Sequence, residues 1–277
     1  MERNVVQGKL NRMEEKLNVV VKVLLVLITY HFSLITSLAQ SEGGLILGAE
    51  LEKKIDRKWS LGLEADFRTR NNFKTVDRWG LGLGVEYKLS KGLKAGAGYS
   101  LLDYNMREKV EYYTTEKGNA KIHWRPSYMG LKHRFNISLT ASHKFTNGLK
   151  FSLRERWQYT YRPEKAVTRW TFREDVSNQD MRLDDDYVRS GKGKNQLRSR
   201  LQVELDKKRA LFTPYVSMEL YNSWAIEKIR YTAGTDIRLN KQNSLSVFYR
   251  FQNMKNVDDE DYDPDMHFLG LSYKFKF

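Results

Sequence analysis

From Lys150 to Arg162 every second residue is cationic or polar: Lys150, Ser152, Arg154, Arg156, Gln158, Thr160 and Arg162. Other stretches carry the same kind of ladder, with Lys132, Arg134 and Lys144 before it and Arg198, Arg200, Glu204 and Asp206 after it. A guanidinium presents a planar fork of donors that matches a carboxylate or a phosphate. A ring of such groups around a pore selects anions. Glu64, Asp66, Glu86, Glu204 and Glu219 offer the opposite outcome, in which the charges pair with one another and fill the space they enclose. The ladder therefore implies either a cationic passage for an anionic solute or a plug of paired ions.

Other chemistry is sparse. The absence of Cys removes disulfides, thiolate nucleophiles, Cys-ligated zinc and a lipid-modified Cys. His123, His133, His143 and His267 stand in no nucleophile–base pattern, and there is no phosphate-loop or metalloprotease motif. The acidic runs Asp184-Asp185-Asp186 and Asp258-Asp259-Glu260-Asp261, the latter followed by Asp263 and Asp265, are rich in oxygen ligands. They lack the turn Gly and closing Glu of a calcium loop and read as solvated loops. The expectation is a protein that is not an enzyme and has no cofactor and no metal. Two alternatives stay open: a barrel enzyme acting on lipid or peptide at the outer rim, and a soluble periplasmic lipid carrier.

The elements that carry the ladder alternate with period two. Trp59, Leu61, Leu63, Ala65 and Phe67 alternate with Ser60, Gly62, Glu64, Asp66 and Arg68, and the pattern recurs over 78–89, 93–101, 131–145 and 149–162. Side chains at i and i+2 share a sheet face, so each strand has one greasy face and one charged face. Later strands fall at 195–206, 211–222, 229–239, 244–252 and 266–277, and the first at about 44–54. Strands of this length cross a bilayer when tilted. Trp59, Trp79, Tyr87, Trp157, Tyr159 and Tyr161 gather near strand ends, where interfacial girdles place aromatics. A mean hydropathy of −0.64 is compatible with this, because only alternate residues would meet lipid.

Short connections near 56–58, 90–92, 146–148, 206–210 and 240–243 alternate with longer ones at 69–77, 103–127, 163–194 and 253–265, and Asn147-Gly148 is a strong hairpin signal. The connection at 223–228 is unexpectedly short for the long-loop series. The fold expected is a transmembrane antiparallel up-and-down β-barrel. The pattern itself gives eleven strands, but even numbers prevail in bacterial single-chain barrels. Twelve is therefore expected, with ten as the alternative and 103–127 as the place for a missing strand. Glu155 falls on the greasy face between Leu153 and Trp157, and a β-bulge there would turn it inward.

Residues 1–39 read as a cleaved signal peptide: Lys16 and Lys22, an apolar run from Val23 to Ile35, then Ser37-Leu38-Ala39. Residues 40–277 form the barrel. The net charge of +14 is spread singly along alternating strands, which argues against nucleic acid as a partner. At the other end Tyr273, Phe275 and Phe277 share a face, like the C-terminal signal read by barrel-assembly machinery. Gly48-Ala49-Glu50-Leu51-Glu52-Lys53-Lys54, Lys132-His133-Arg134-Phe135, Leu153-Arg154-Glu155-Arg156-Trp157, Pro214-Tyr215-Val216-Ser217-Met218-Glu219-Leu220 and Gly270-Leu271-Ser272-Tyr273 occur in that order. In this the chain resembles the domain-of-unknown-function 2490 family. The resemblance implies an outer-membrane barrel of a Gram-negative cell, with outer-membrane lipid as its surroundings, and brings no catalytic residues. N-terminal sequencing of protein extracted from membranes is expected to begin at Gln40; a chain still carrying residues 1–39 would refute the cleavage.

Overall fold

In the computed structural model the alternating pattern becomes strand almost throughout. Described are residues 41–114, 120–173, 182–184, 187–207, 210–255 and 263–277; the expected signal peptide and Asp258 to Asp261 lie outside them. The strands are β1 (Ser41–Lys54), β2 (Trp59–Arg70), β3 (Thr75–Ser90), β4 (Leu93–Met106), β5 (Lys109–Thr114), β6 (Ala120–Arg125), β7 (Tyr128–Lys144), β8 (Leu149–Arg162) and β9 (Lys165–Ala166). They continue as β10 (Arg169–Arg173), β11 (Arg182–Asp184), β12 (Val188–Arg189), β13 (Lys192–Leu205), β14 (Phe212–Asn222), β15 (Ile226–Arg238), β16 (Asn243–Met254) and β17 (Asp265–Lys276).

Eleven of these close a barrel in the order β1-β17-β16-β15-β14-β13-β8-β7-β4-β3-β2. The count is eleven, neither the twelve expected from parity nor ten. Among its described residues, segment 103–127 adds no further barrel strand: 103–106 continue β4, and β5 and β6 join β10 and β11 in a separate four-stranded sheet within the long loops. An odd number of strands linked up-and-down leaves the first and last running the same way. β1 and β17 therefore pair in parallel, from Ser41↔Asp265 to Glu52↔Lys276, and the expected wholly antiparallel barrel has this one parallel seam. The supposed long connection at 69–77 is also corrected. β2 and β3 extend into it and leave only 71–74, where Asn71, Asn72 and Phe73 adopt positive φ.

Turn chemistry marks the other end. Asp56 accepts the backbone N–H groups of Lys58 and Trp59 at 2.6 and 2.7 Å between β1 and β2. The Trp59 and Lys58 amides hold its carboxyl below the usual carboxylate range. Gly92 and Gly148 supply the positive φ that their hairpins need, and Asn147 Oδ1 accepts the Leu149 N–H at 3.0 Å.

The barrel is inside-out relative to a soluble sandwich. Leu61, Leu83 and Ile137 lie on the outer wall at 48%, 62% and 57% exposure, while Arg78, Glu219 and Arg230 are buried inside. Aromatic rings cluster on the outer wall near the short-turn end, with Trp59 against Tyr87 at 4.6 Å and Phe275 against Phe277 at 5.6 Å. Glu155 is not turned inward. β8 pairs with β7 and β13 without a register shift, and Glu155 stays on the outer wall, where Ser199 Oγ donates to it at 2.6 Å. A neighbour's hydroxyl meets the need that a bulge would have met.

Beside the parallel seam the interior is apolar. Ile46, Met266, Phe268 and Phe248 form a buried cluster, with Tyr215 against it. The Phe248 ring lies flat on the wall because Gly270 leaves room: a Cβ there would stand 2.1 Å from Phe248 Cζ. Gly270→Ala is expected to cost roughly 1–3 kcal/mol through overpacking. Gly62→Ala, whose Cβ would meet only the Leu51 carbonyl at 3.9 Å, should be close to neutral. The temperature at which the folded band shifts in semi-native electrophoresis would show the difference.

Candidate functional site

Inward positions of neighbouring strands bring the charge ladder to a belt across the barrel. Its hub is Glu219 on β14, which accepts from Arg154 at 2.8 Å, from Arg198 at 3.0 Å to each oxygen, from Arg230 at 3.2 Å and from the Tyr221 hydroxyl at 2.7 Å. Four strands, β8, β13, β14 and β15, thus converge on one carboxylate. A second hub, Asp66 on β2, accepts from Arg78 at 3.0 and 2.7 Å and from Arg68 at 3.2 Å. Arg78 also donates to the Tyr104 hydroxyl, which Arg134 approaches at 3.3 Å. Gln158 and Gln252 extend the belt, accepting from Arg198 and Arg230, each at 3.0 Å.

The belt divides the lumen. Towards the long loops lies a cavity of about 200 Å³, and towards the short turns lie two of about 630 and 290 Å³. Arg107 sits at the long-loop mouth, forked onto Glu42 at 2.8 and 3.0 Å and bonded to Asp263 at 2.8 Å. At the opposite end Lys274 reaches across the parallel seam to Glu50 and, at 2.8 Å, to Glu52.

All ten charged residues singled out from the sequence face the interior, but they do not form one site. Arg154 and Arg198 are at the Glu219 hub. Lys150 pairs with Glu204 at 2.7 Å, and Glu86 with Lys94 at 3.0 Å in an exposed position near the short turns. Glu64 lines both lower cavities. Arg156 and Arg200 each bury an Nε that has no hydrogen-bond partner among the described residues. Lys132 lies over the Tyr104 ring at 4.4 Å. Tyr273, Phe275 and Phe277 lie on the outer wall or at its end, Tyr273 and Phe277 exposed.

Sequence reasoning missed Tyr104, which fell in a segment taken as loop, and Lys228, Arg230 and Arg250, whose polar phase on β15 and β16 was the available signal. His133 and His267 are on the outer wall, hydrogen-bonded to the Tyr99 hydroxyl at 2.8 Å and to the Tyr249 hydroxyl. Among the described residues no group of three or more His, Cys, Asp or Glu could hold a metal ion.

A family model described as "Protein of unknown function (DUF2490)" matches residues 45–263. The crystal structure of the beta domain of the Bordetella autotransporter Brka superposes with a TM-score of 0.46, at 14% identity, over 79% of this chain and 83% of that chain. No match was found among curated proteins. Replacing Glu219 by Gln would leave three buried guanidinium groups facing a neutral amide. It is expected to lower stability by about 3–5 kcal/mol, read from the urea midpoint of the folded band.

Proposed function

The chain belongs to the DUF2490 family of proteins of unknown function, and from that premise we propose that it is an outer-membrane barrel with an occluded waist and a cation-rich outer vestibule. One observation carries this reading: Leu61, Leu83, Ile137 and their like form an exposed outer wall, while Arg78, Glu219 and Arg230 are buried inside. A wall of Leu, Ile, Val and aromatic side chains suits hydrocarbon, and a closed ring of strands leaves no unpaired edge within it. Short turns face the periplasm in such barrels, so the vestibule opens outwards and Phe277 lies at the periplasmic end, where Tyr273, Phe275 and Phe277 serve barrel assembly.

The paired belt supports a structural barrel that attracts anions without passing them freely. Eleven strands lie between barrels filled by their own side chains and those wide enough for an aqueous channel. Here Glu219 and Asp66 gather guanidinium groups from several strands, and the Phe248 cluster fills the side against the seam. Catalysis has no part in this reading, and its solute would be anionic.

Purified protein in a planar bilayer is expected to give no steady open-channel current, and any brief openings should favour anions. A large ohmic conductance would remove the occluded waist. Recovery of the folded chain in the soluble fraction without detergent would remove the membrane location.

A further inference from the structure

The cavity above the belt is far from electrically balanced. Nine Arg and Lys residues line it against two Asp. Part of that excess is met just below, where Asp66 takes Arg68 and Arg78, and Glu219 takes Arg198 and Arg230. Arg134 and Lys228 are different. The contacts of Arg134 are hydroxyls, Thr160 at 3.4 Å and Tyr104 at 3.3 Å, and the Lys228 ammonium sits 4.3 Å over the Tyr221 ring. Neither has a carboxylate in ion-pair reach among the described residues. A buried cation without a counter-charge is costly, and a hydroxyl or a ring compensates it only in part.

We propose that this cavity is a receptor site for a compact phosphoryl-type oxyanion, held by Arg134 and Lys228 and backed by Arg78. The guanidinium fork and the ammonium supply several donors to one small volume, which suits a tetrahedral ion with several oxygens better than a single-point anion such as chloride. The phenols of Tyr104 and Tyr221 add polar walls, and the belt closes the floor, so an ion entering from the long-loop end is retained. The proposal rests on the occluded-barrel reading above. The shared chemistry is a phosphoryl group, whether from free phosphate or from a lipid headgroup.

The test uses the full chain, folded in detergent and in lipid nanodiscs. Calorimetry with inorganic phosphate and pyrophosphate in detergent should show saturable binding. If the natural source is a headgroup, saturable binding should instead appear with phosphatidic acid in nanodiscs and not with phosphatidylcholine. Either result supports the site and identifies its source. Arg134→Gln and Lys228→Met should each weaken binding about tenfold or more. Lys94→Met, an equal loss of charge at the short-turn end, should leave it unchanged. Should the variants fold poorly, the wild type still decides: phosphate should raise the temperature of the electrophoretic shift, and chloride at equal ionic strength should not. No saturable binding of any probe by folded wild type, or an equal loss in Lys94→Met, overturns the site. Bilayer currents on the same preparation separate the two ideas. No binding with no current removes only the receptor, whereas a large steady current removes the occluded waist as well.

Discussion

A sheet that closes on itself must pair its first strand with its last, and in this barrel that closure is made at a single seam. Ten of the eleven pairings in the ring join consecutive barrel strands in antiparallel fashion; the last joins β1 to β17 in parallel. Without it, two full-length strands would present open edges, and each backbone group left unpaired away from water would cost several kcal/mol. Parallel pairing is slightly weaker per residue, and side chains reinforce it from within. Ile46, Met266 and Phe268 from the two seam strands pack with Phe248, and Lys274 ties β17 to Glu50 and Glu52 on β1.

Away from the seam, the interior is organised by electrostatics. A carboxylate that collects three guanidinium groups and a phenol fixes the relative positions of four strands. A buried ion network of this kind is weak support for high stability, since its desolvation offsets much of its attraction. Its effect is geometric: with Glu219 as hub, the arginines of β8, β13 and β15 have one arrangement available, and the lumen has a floor and a vestibule. Above that floor nine Arg and Lys side chains line the cavity with two Asp.

Much of this was legible in the sequence. Strict alternation in segments such as 59–68 and 149–162 gave both the strands and the face each side chain occupies, because period two admits no other partition. The strand tally itself was right, and parity reasoning drew it away from eleven because it assumed antiparallel closure. Glu155 illustrates a second limit: its outward partner, Ser199, lies on another strand, and nothing local to 153–157 announces the pairing. Tyr104 was hidden because β4 continues past the end of its clear alternation. The apolar patch inside was invisible for the same reason in reverse, since Phe248 and Phe268 occupy the polar phase and only the assembled wall shows Gly270 making room for a ring.

The seam also has a kinetic consequence. Neighbouring barrel strands find each other across turns or loops, whereas the residues that meet between β1 and β17, such as Glu50 and Lys274, are 224 positions apart in the chain. The entropy of bringing chain ends together grows with their separation, so contacts of this reach form after local ones. The ring therefore zips shut last along this line. Until it does, the growing sheet is an open ribbon with two sticky margins, each able to pair with a stray strand.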